Sequence, residues 1–390
     1  MKVSSNLEKI LASGQFAATG ELGPPKSAEA EAIKRKAALL KGLVDAVNIT
    51  DNQTAIVRMS SIAVGIMLLQ EGIEPTIQMT CRDRNRLAIQ ADLLGASALG
   101  IKNLLCLTGD HQKFGNHPTA RGVYDLDSIQ LVALVKALRD EKKFANGEAI
   151  ETVEPRFFIG AAENPFADPF DYRPYRLAKK VAAGADFIQT QLIYNVPKFK
   201  EFMKRVVDLG IHEKCFILAG VGPIKSIGMA RYMQNSVPGM DVPEDVIARL
   251  KGVPKEQVRK EGIKQCADII QEMREIPGVR GVHVMAIEWE EAVQRLGVGE
   301  PGPGPAGRTE LATGAKAPLL AQNRGRQPEG AVRTGDPLHA HRVPSPSGLG
   351  RPSKNSTTPV SSEYSAPPPS SPSFRTSCSP VSYTHLRAHQ

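Results

Sequence analysis

No two of the five cysteines, Cys81, Cys106, Cys215, Cys266 and Cys378, stand in a Cys-x-x-Cys spacing. Intrinsic zinc-ribbon and iron–sulfur sites are thereby disfavoured. Cysteines inside apolar runs such as "LLCLTG" read instead as small core residues of a reducing cytoplasm. No apolar run approaches the roughly 18 residues that a membrane span needs. Charges interrupt the opening "MKVSSNLEKILASGQ" where an export signal has its apolar centre, so a cytoplasmic location is expected. Aromatic residues are scarce, at 5%, and no basic stripe interleaves with them, which argues against nucleic-acid binding. The formal charge of +8 is also unevenly placed. Residues 300–390 hold 10 Lys/Arg against 5 Asp/Glu, which leaves residues 1–299 nearly balanced.

Several chemical signatures are missing as well. No Gly-x-Gly-x-x-Gly opens a helix after a strand, and the nearest stretch, "AGVGPIKS", carries Pro223 and Lys225 at the wrong places. A Rossmann site is therefore disfavoured, and no Walker-type phosphate loop is present. No Gly-x-Ser-x-Gly elbow occurs. His111 and His117 share one loop without the spacing of a metal triad, so no metal site is expected. His212 and His283 stand alone and read as surface or core residues.

What is present is a regular rhythm. Hydrophobic residues at 41% and charged residues at 23% mark a globular chain. Eight β-like runs recur through residues 1–299: "FAATGEL", "AVNITD", "TIQMTC", "NLLCLTGD", "RFFIGAAEN", "FIQTQLIY", "CFILAGVG" and "GVHVMAI". Amphipathic stretches such as "SAEAEAIKRKAALLKG" lie between them. Strands alternating with helices pair in parallel through right-handed crossovers, and eight such repeats in this length fit a closed (β/α)8 TIM barrel. Composition changes near Gly299. Residues 300–390 carry 15 of the 29 prolines, in stretches such as "SAPPPSSPSF", and end in "VSYTHLRAHQ". Such a segment cannot bury enough surface to fold. It is read as a disordered or artefactual tail, the alternative being a genuine Pro-rich docking segment.

A barrel carries its chemistry at the carboxyl ends of its strands. Those positions hold Glu21, Thr50 and Asp51, Thr80 and Cys81, Asp110, Glu163 and Asn164, and Gln191, followed by the Gly220–Gly222 turn and Glu288. The set is mostly uncharged and hydrogen-bonding, which suits the edge of a planar heteroaromatic ligand. Glu21 closes a strand that two prolines stop. A carboxyl pointing into a cavity there is costly to ionise and can hold a proton near neutral pH.

Four motifs, "TGELGPPKS", "LTGD", "KKVAAGADFIQTQLIYN" and "LAGVGPIKS", in that order, resemble the methylenetetrahydrofolate reductase family from about Phe16 to Leu296. The resemblance implies a flavin-bearing (β/α)8 barrel that reduces 5,10-methylenetetrahydrofolate to 5-methyltetrahydrofolate, a step of methionine biosynthesis. It implies Glu21 as the general acid that opens the folate ring, Asp110 as the carboxylate that stabilises the resulting cation, and Gln191 as the partner of the pterin edge. Thr50, Gly109, Tyr124 and Lys180 match flavin-contacting positions, with Lys180 reaching the phosphate. Gln78 and Asn164 complete the expected cofactor-binding set.

The sequence departs from the family at three places. Gln78 stands where many members have histidine, Trp289 where many have arginine, and Thr108 where an arginine is common. With "TCRDRNR", these changes resemble the branch from anaerobic and acetogenic bacteria. That branch implies either NAD(P)H or an electron-donating partner subunit as the reductant, and a homo-oligomer or hetero-complex. Two fewer cations leave FMN as the alternative to the expected FAD. Two other readings are a flavin-free, pterin-binding methyltransferase barrel and a non-catalytic subunit of a larger complex.

Overall fold

The computed structural model describes residues 1–237 and 239–298. The expected tail and Cys378 lie outside the described residues. Within them, eight strands close a parallel barrel in chain order. They are β1 Ala17–Leu22, β2 Ala46–Ile49, β3 Pro75–Thr80, β4 Asn103–Leu107, β5 Phe158–Glu163, β6 Phe187–Leu192, β7 Phe216–Val221 and β8 Val279–Val284. β8 returns to β1 through the register Thr19–His283, so the sheet has no free edge and the (β/α)8 architecture read from the sequence is the one observed.

The helices are α1 Asn6–Ala12, α2 Ala30–Leu40, α3 Ser61–Gln70, α4 Arg86–Ala98, α5 Ser128–Lys136, α6 Arg173–Ala183, α7 Val196–Asp208, α8 Ile227–Ser236, α9 Glu244–Lys251 and α10 Val258–Arg274. Their starts are set by local chemistry. Asn85, Asn195 and Ser226 each accept a backbone N–H from the first turn of α4, α7 and α8. Asp127 and Gln130 form a reciprocal capping box on α5.

Alternation along the strands divides the core in two. Outward residues such as Leu22, Ile49, Ile77 and Val282 pack against the helices in one large cluster. Inward residues Ala17, Ala46, Leu105, Phe158, Phe187 and Leu218 meet Leu7 and Leu11 of α1, which floors the barrel. The Phe158 and Phe187 rings stack with centroids 5.0 Å apart. Gly160 makes room for this pair, since a Cβ there would lie 2.3 Å from the Phe187 ring.

Two local irregularities matter at the mouth. The β6–β7 register shifts between Gln189 and Leu192, a bulge of the kind that re-aims side chains beside functional sites. β8 ends at Val284, so Glu288 is not a strand-end residue as the sequence suggested. It lies in an exposed turn with φ of +49°. Pairing stops after Met285 N–H donates to the Val221 carbonyl, and Lys225 Nζ then binds the carbonyls of Ile287 and Glu288. The four described cysteines are all buried and unpaired by disulfides. Burial raises their thiol pKa values, that of Cys81 to about 12, which makes them poor nucleophiles.

Candidate active site

Parallel strands put all their carboxyl ends at one rim, and two cavities open there. The larger is an open cleft of about 740 Å³ over the ends of β2 to β5 and against α6. Gln78, Gly109, Asp110, Asn164 and Lys180 line it, with Arg82, Glu163, Arg173 and Arg176. The smaller, about 360 Å³, lies against β1 and the segment after β8 and is lined by Glu21, Lys36, Gln53, Arg58, Glu288 and Glu290 among others. Gln53 lines both, and Gln78 Nε2 approaches Glu21 Oε2 to 3.5 Å. The proton-holding candidate and the cofactor candidates thus share one rim and one wall.

The cleft is unusually rich in cations on one side. Arg173, Arg176 and Lys180 come from successive turns of α6 and lie on one face of it. Lys180 is buried and donates to Glu163 Oε2 at 2.8 Å and to the Ala162 carbonyl. Burial pushes the Lys180 ammonium below its ordinary pKa against the pull of Glu163, and Arg176 and Arg173 push the same way. Burial also lowers Arg173, with Arg176 adding to it. Arg176 has no ion-pair or hydrogen-bond partner among the described residues. Three clustered cations facing one carboxylate are what an anionic group would relieve.

Arg82 plays another part. It is 2% exposed, and its guanidinium binds Asp83 Oδ1 at 2.8 Å and Oδ2 at 2.6 Å. It also donates to the carbonyls of Asp110 at 3.1 Å and Asn52 at 3.2 Å. It therefore ties together the loops after β2, β3 and β4. Arg84 fixes the next position by pairing with Asp51 at 2.7 Å, while Asp51 accepts both the N–H and the hydroxyl of Thr80 at 2.9 Å.

Among the described residues, the buried polar atoms left without a hydrogen bond include Thr50 Oγ1, Gln78 Oε1 and Gln191 Nε2 near the rim. They supply a hydroxyl, an acceptor and a donor where a heterocycle with mixed edge chemistry would complete them. Gln191 is turned to this role by the bulge, its Oε1 being taken by the Leu192 N–H at 2.9 Å. Gly109 has φ of +91°, and a Cβ there would stand 3.0 Å from Thr80 Cβ and 3.2 Å from Arg82 Cβ. Tyr124 donates its hydroxyl to the Asp110 carbonyl at 3.3 Å. Asn164 Oδ1 is used within its own loop, accepting Phe166 N–H at 3.1 Å.

Of the sequence-derived residues, the structure gathers Gln78, Gly109, Asp110, Asn164 and Lys180 at the cleft and Glu21 in the adjoining cavity. Thr50, Tyr124 and Gln191 line neither. Sequence reasoning did not single out Arg82, Arg173, Arg176 or the role of Glu163. The spacing of Arg173, Arg176 and Lys180 on one helix face was the available signal. Thr108 lines the cleft and its hydroxyl caps the start of α5, accepting the Ser128 N–H at 3.1 Å. Cations are not scarce here, despite the arginine expected at that position.

A family model of methylenetetrahydrofolate reductase matches residues 6–297. The chain belongs to the methylenetetrahydrofolate reductase family. Relatives of that family include "Probable methylenetetrahydrofolate reductase (NADPH)" of Caenorhabditis elegans, 22% identical over 63% of this chain and 35% of its own length. "Methylenetetrahydrofolate reductase 2" of Schizosaccharomyces pombe is 27% identical over 60% of this chain and 37% of its own length. The chain thus spans about a third of the length of these reductase-family relatives. Among solved structures, an uncharacterized Clostridium thermocellum protein that binds two copies of 5-methyl-5,6,7,8-tetrahydrofolic acid shares the fold. Its TM-score is 0.54 at 15% identity, covering 75% of this chain and 98% of the other.

Proposed function

We propose that this chain reduces 5,10-methylenetetrahydrofolate to 5-methyltetrahydrofolate, with a bound flavin, FAD before FMN, as its cofactor. The observation that carries the proposal is the contact between Gln78, on the wall of a cation-lined cleft, and Glu21, buried in the cavity beside it. Membership of the reductase family supports it. So does the tetrahydrofolate bound by a protein of similar fold, as an analogy of substrate class only.

The residues fit a flavin. Arg176 offers an uncommitted charge to a phosphate, and Arg173 and Lys180 strengthen the positive field around it. Gln78 Oε1, on the cleft wall, and Thr50 Oγ1 have no hydrogen-bond partner among the described residues. Gly109 lets the backbone come close without a Cβ in the way. When bound, the flavin supplies the hydride that the folate carbon accepts.

The chain's own residues do the rest. Glu21, held in the smaller cavity, gives its proton to the methylene-bridge nitrogen, and the five-membered ring opens to an iminium cation. Asp110 faces the mouth and stabilises that cation electrostatically. Gln191 Nε2 donates to the pterin edge. The reductant is a nicotinamide or an electron-donating protein partner. The relatives are named for both NADPH and NADH.

The test is spectroscopic. The purified full chain should be yellow, bleach with NAD(P)H or a reduced dye under anaerobic conditions, and regain colour on adding 5,10-methylenetetrahydrofolate. A folded, colourless chain that takes up neither FAD nor FMN overturns the proposal. If that chain still bound 5-methyltetrahydrofolate, the methyltransferase reading would replace it.

A further inference from the structure

Beneath the mouth, four polar side chains fill a layer of the barrel where branched aliphatic residues are the usual filling. Thr19, Asn48, Gln189 and His283 are each at most 3% exposed. Asn48 Nδ2 donates to Gln189 Oε1 at 2.6 Å, and Gln189 Nε2 donates back to Asn48 Oδ1 at 3.1 Å. Gln189 Nε2 also donates to Thr19 Oγ1 at 3.2 Å. Thr19 Oγ1 lies 3.0 Å from His283 Nδ1 and 3.4 Å from the Val282 carbonyl oxygen.

These bonds orient one another in order. Each amide spends an oxygen and one hydrogen on the other, so the second hydrogen of Gln189 goes to Thr19. The Thr19 hydroxyl still has one hydrogen of its own to give, and His283 Nδ1 at 3.0 Å is a closer acceptor for it than the Val282 carbonyl at 3.4 Å. A neutral imidazole whose Nδ1 accepts carries its proton on Nε2. Nε2 is the atom that faces Glu21 Oε2, at 3.7 Å.

We propose that the Asn48–Gln189–Thr19 chain locks His283 as the Nε2–H tautomer, and that His283 is thereby the positioning residue of Glu21. At 3.7 Å the N–H acts on the carboxyl through its dipole, holding it on the side of the mouth from which it delivers its proton. The positioning role rests on the reading of Glu21 given above; the tautomer does not. The other charged groups at Glu21's cavity are otherwise placed. Lys36 pairs with Glu290 at 2.7 Å, Arg58 donates to the Pro24 carbonyl at 2.9 Å, and Glu288 is exposed.

Nitrogen NMR of the full chain labelled in its histidines reads the ring directly, with His283→Gln assigning the signal. The expected ring has a protonated Nε2 and an accepting Nδ1, and Thr19→Val should release it to a mixture of tautomers. A protonated Nδ1, or a ring unmoved by Thr19→Val, overturns the lock. In stopped-flow half-reactions, His283→Phe should slow folate reduction on the order of a hundredfold, the scale of a misplaced reacting group. Flavin reduction should be unchanged, and His283→Gln, which keeps an N–H on that side, should recover most of the loss.

In a Glu21→Gln background, His283→Phe should cost nothing further, because a residue acting through another is silent once that other is gone. Losses that multiply overturn the positioning role. A wild-type chain with the expected tautomer but no folate reduction overturns the reading of Glu21 and leaves the lock standing.

Discussion

Gln78 Nε2 and Glu21 Oε2 stand 3.5 Å apart, and that approach, with Gln53 on the wall of both, joins the two cavities. One is walled by Arg82, Arg173, Arg176 and Lys180 together with Asp51, Asp110 and Glu163, the other by Glu21, Glu288 and Glu290 with Lys36 and Arg58. A cofactor in the first and a substrate in the second would meet across Gln78. This division of the rim yields predictions in which cofactor chemistry and substrate chemistry fail separately.

Glu21→Gln keeps the shape of the side chain and removes the proton. Folate reduction should fall by about 10²- to 10⁴-fold, the usual worth of a general acid, while reduction of the flavin by NAD(P)H or dye stays within about twofold. Stopped-flow absorbance of the two half-reactions measures both. Equal slowing of the two would make Glu21 a structural residue.

Two neighbours on α6 should behave in opposite ways. Lys180→Met removes the close partner of the buried Glu163 carboxylate and leaves it Arg173 at 3.9 Å. The cost should fall near the lower end of the range, about 3–5 kcal/mol, that breaking a buried pair carries, visible in a denaturant titration. Arg176→Met removes a half-buried charge without a partner among the described residues, so stability should hold within about 0.5 kcal/mol. Its effect should appear as weaker flavin retention that grows milder at high salt, measured by fluorescence titration.

Arg82→Met should cost about 3 kcal/mol or more at neutral pH, because two carbonyls and Asp83 lose a charged donor together. Part of that cost depends on pH. Burial works to raise the Asp83 pKa, but the hydrogen bonds and charge of Arg82 outweigh it and leave it below its ordinary 3.8. A carboxylate with a depressed folded-state pKa stabilises the fold above its unfolded value and loses that contribution as pH falls through the folded one. The gap between wild type and Arg82→Met should therefore narrow as pH drops below 3.8, and urea titrations at pH 7 and pH 3 would show it.

The strands were legible because each is a short apolar run between turn residues, and eight of them admit few topologies. Rim residues such as Glu21, Thr80 and Asp110 were legible because strand ends place them without tertiary knowledge, whereas Gln78 came only from the family resemblance. His283 was not. Its meaning depends on Thr19, Asn48 and Gln189 converging from three other strands, and no local pattern records that. The pairing of Lys180 with Glu163 was hidden for the same reason, and the lysine that the resemblance places at the phosphate also meets a carboxylate at 2.8 Å. Arg176, one turn earlier, is the group left over.

Gly109 tests whether the cleft's backbone is built for close approach. Its φ of +91° is strained for any residue with a Cβ, and that Cβ would press on Thr80 and Arg82 at 3.0 and 3.2 Å. The conformational part alone costs about 1–3 kcal/mol, so Gly109→Ala should lower the unfolding midpoint. Because Thr80 and Arg82 are fixed by Asp51 and Asp83, neither can yield without loosening the loops beside Asp110. Flavin affinity should then drop by more than the stability loss alone explains. Isothermal titration of Gly109→Ala at a temperature where it is fully folded separates the two, and unchanged affinity there would mean that the turn shapes the fold but not the cofactor site.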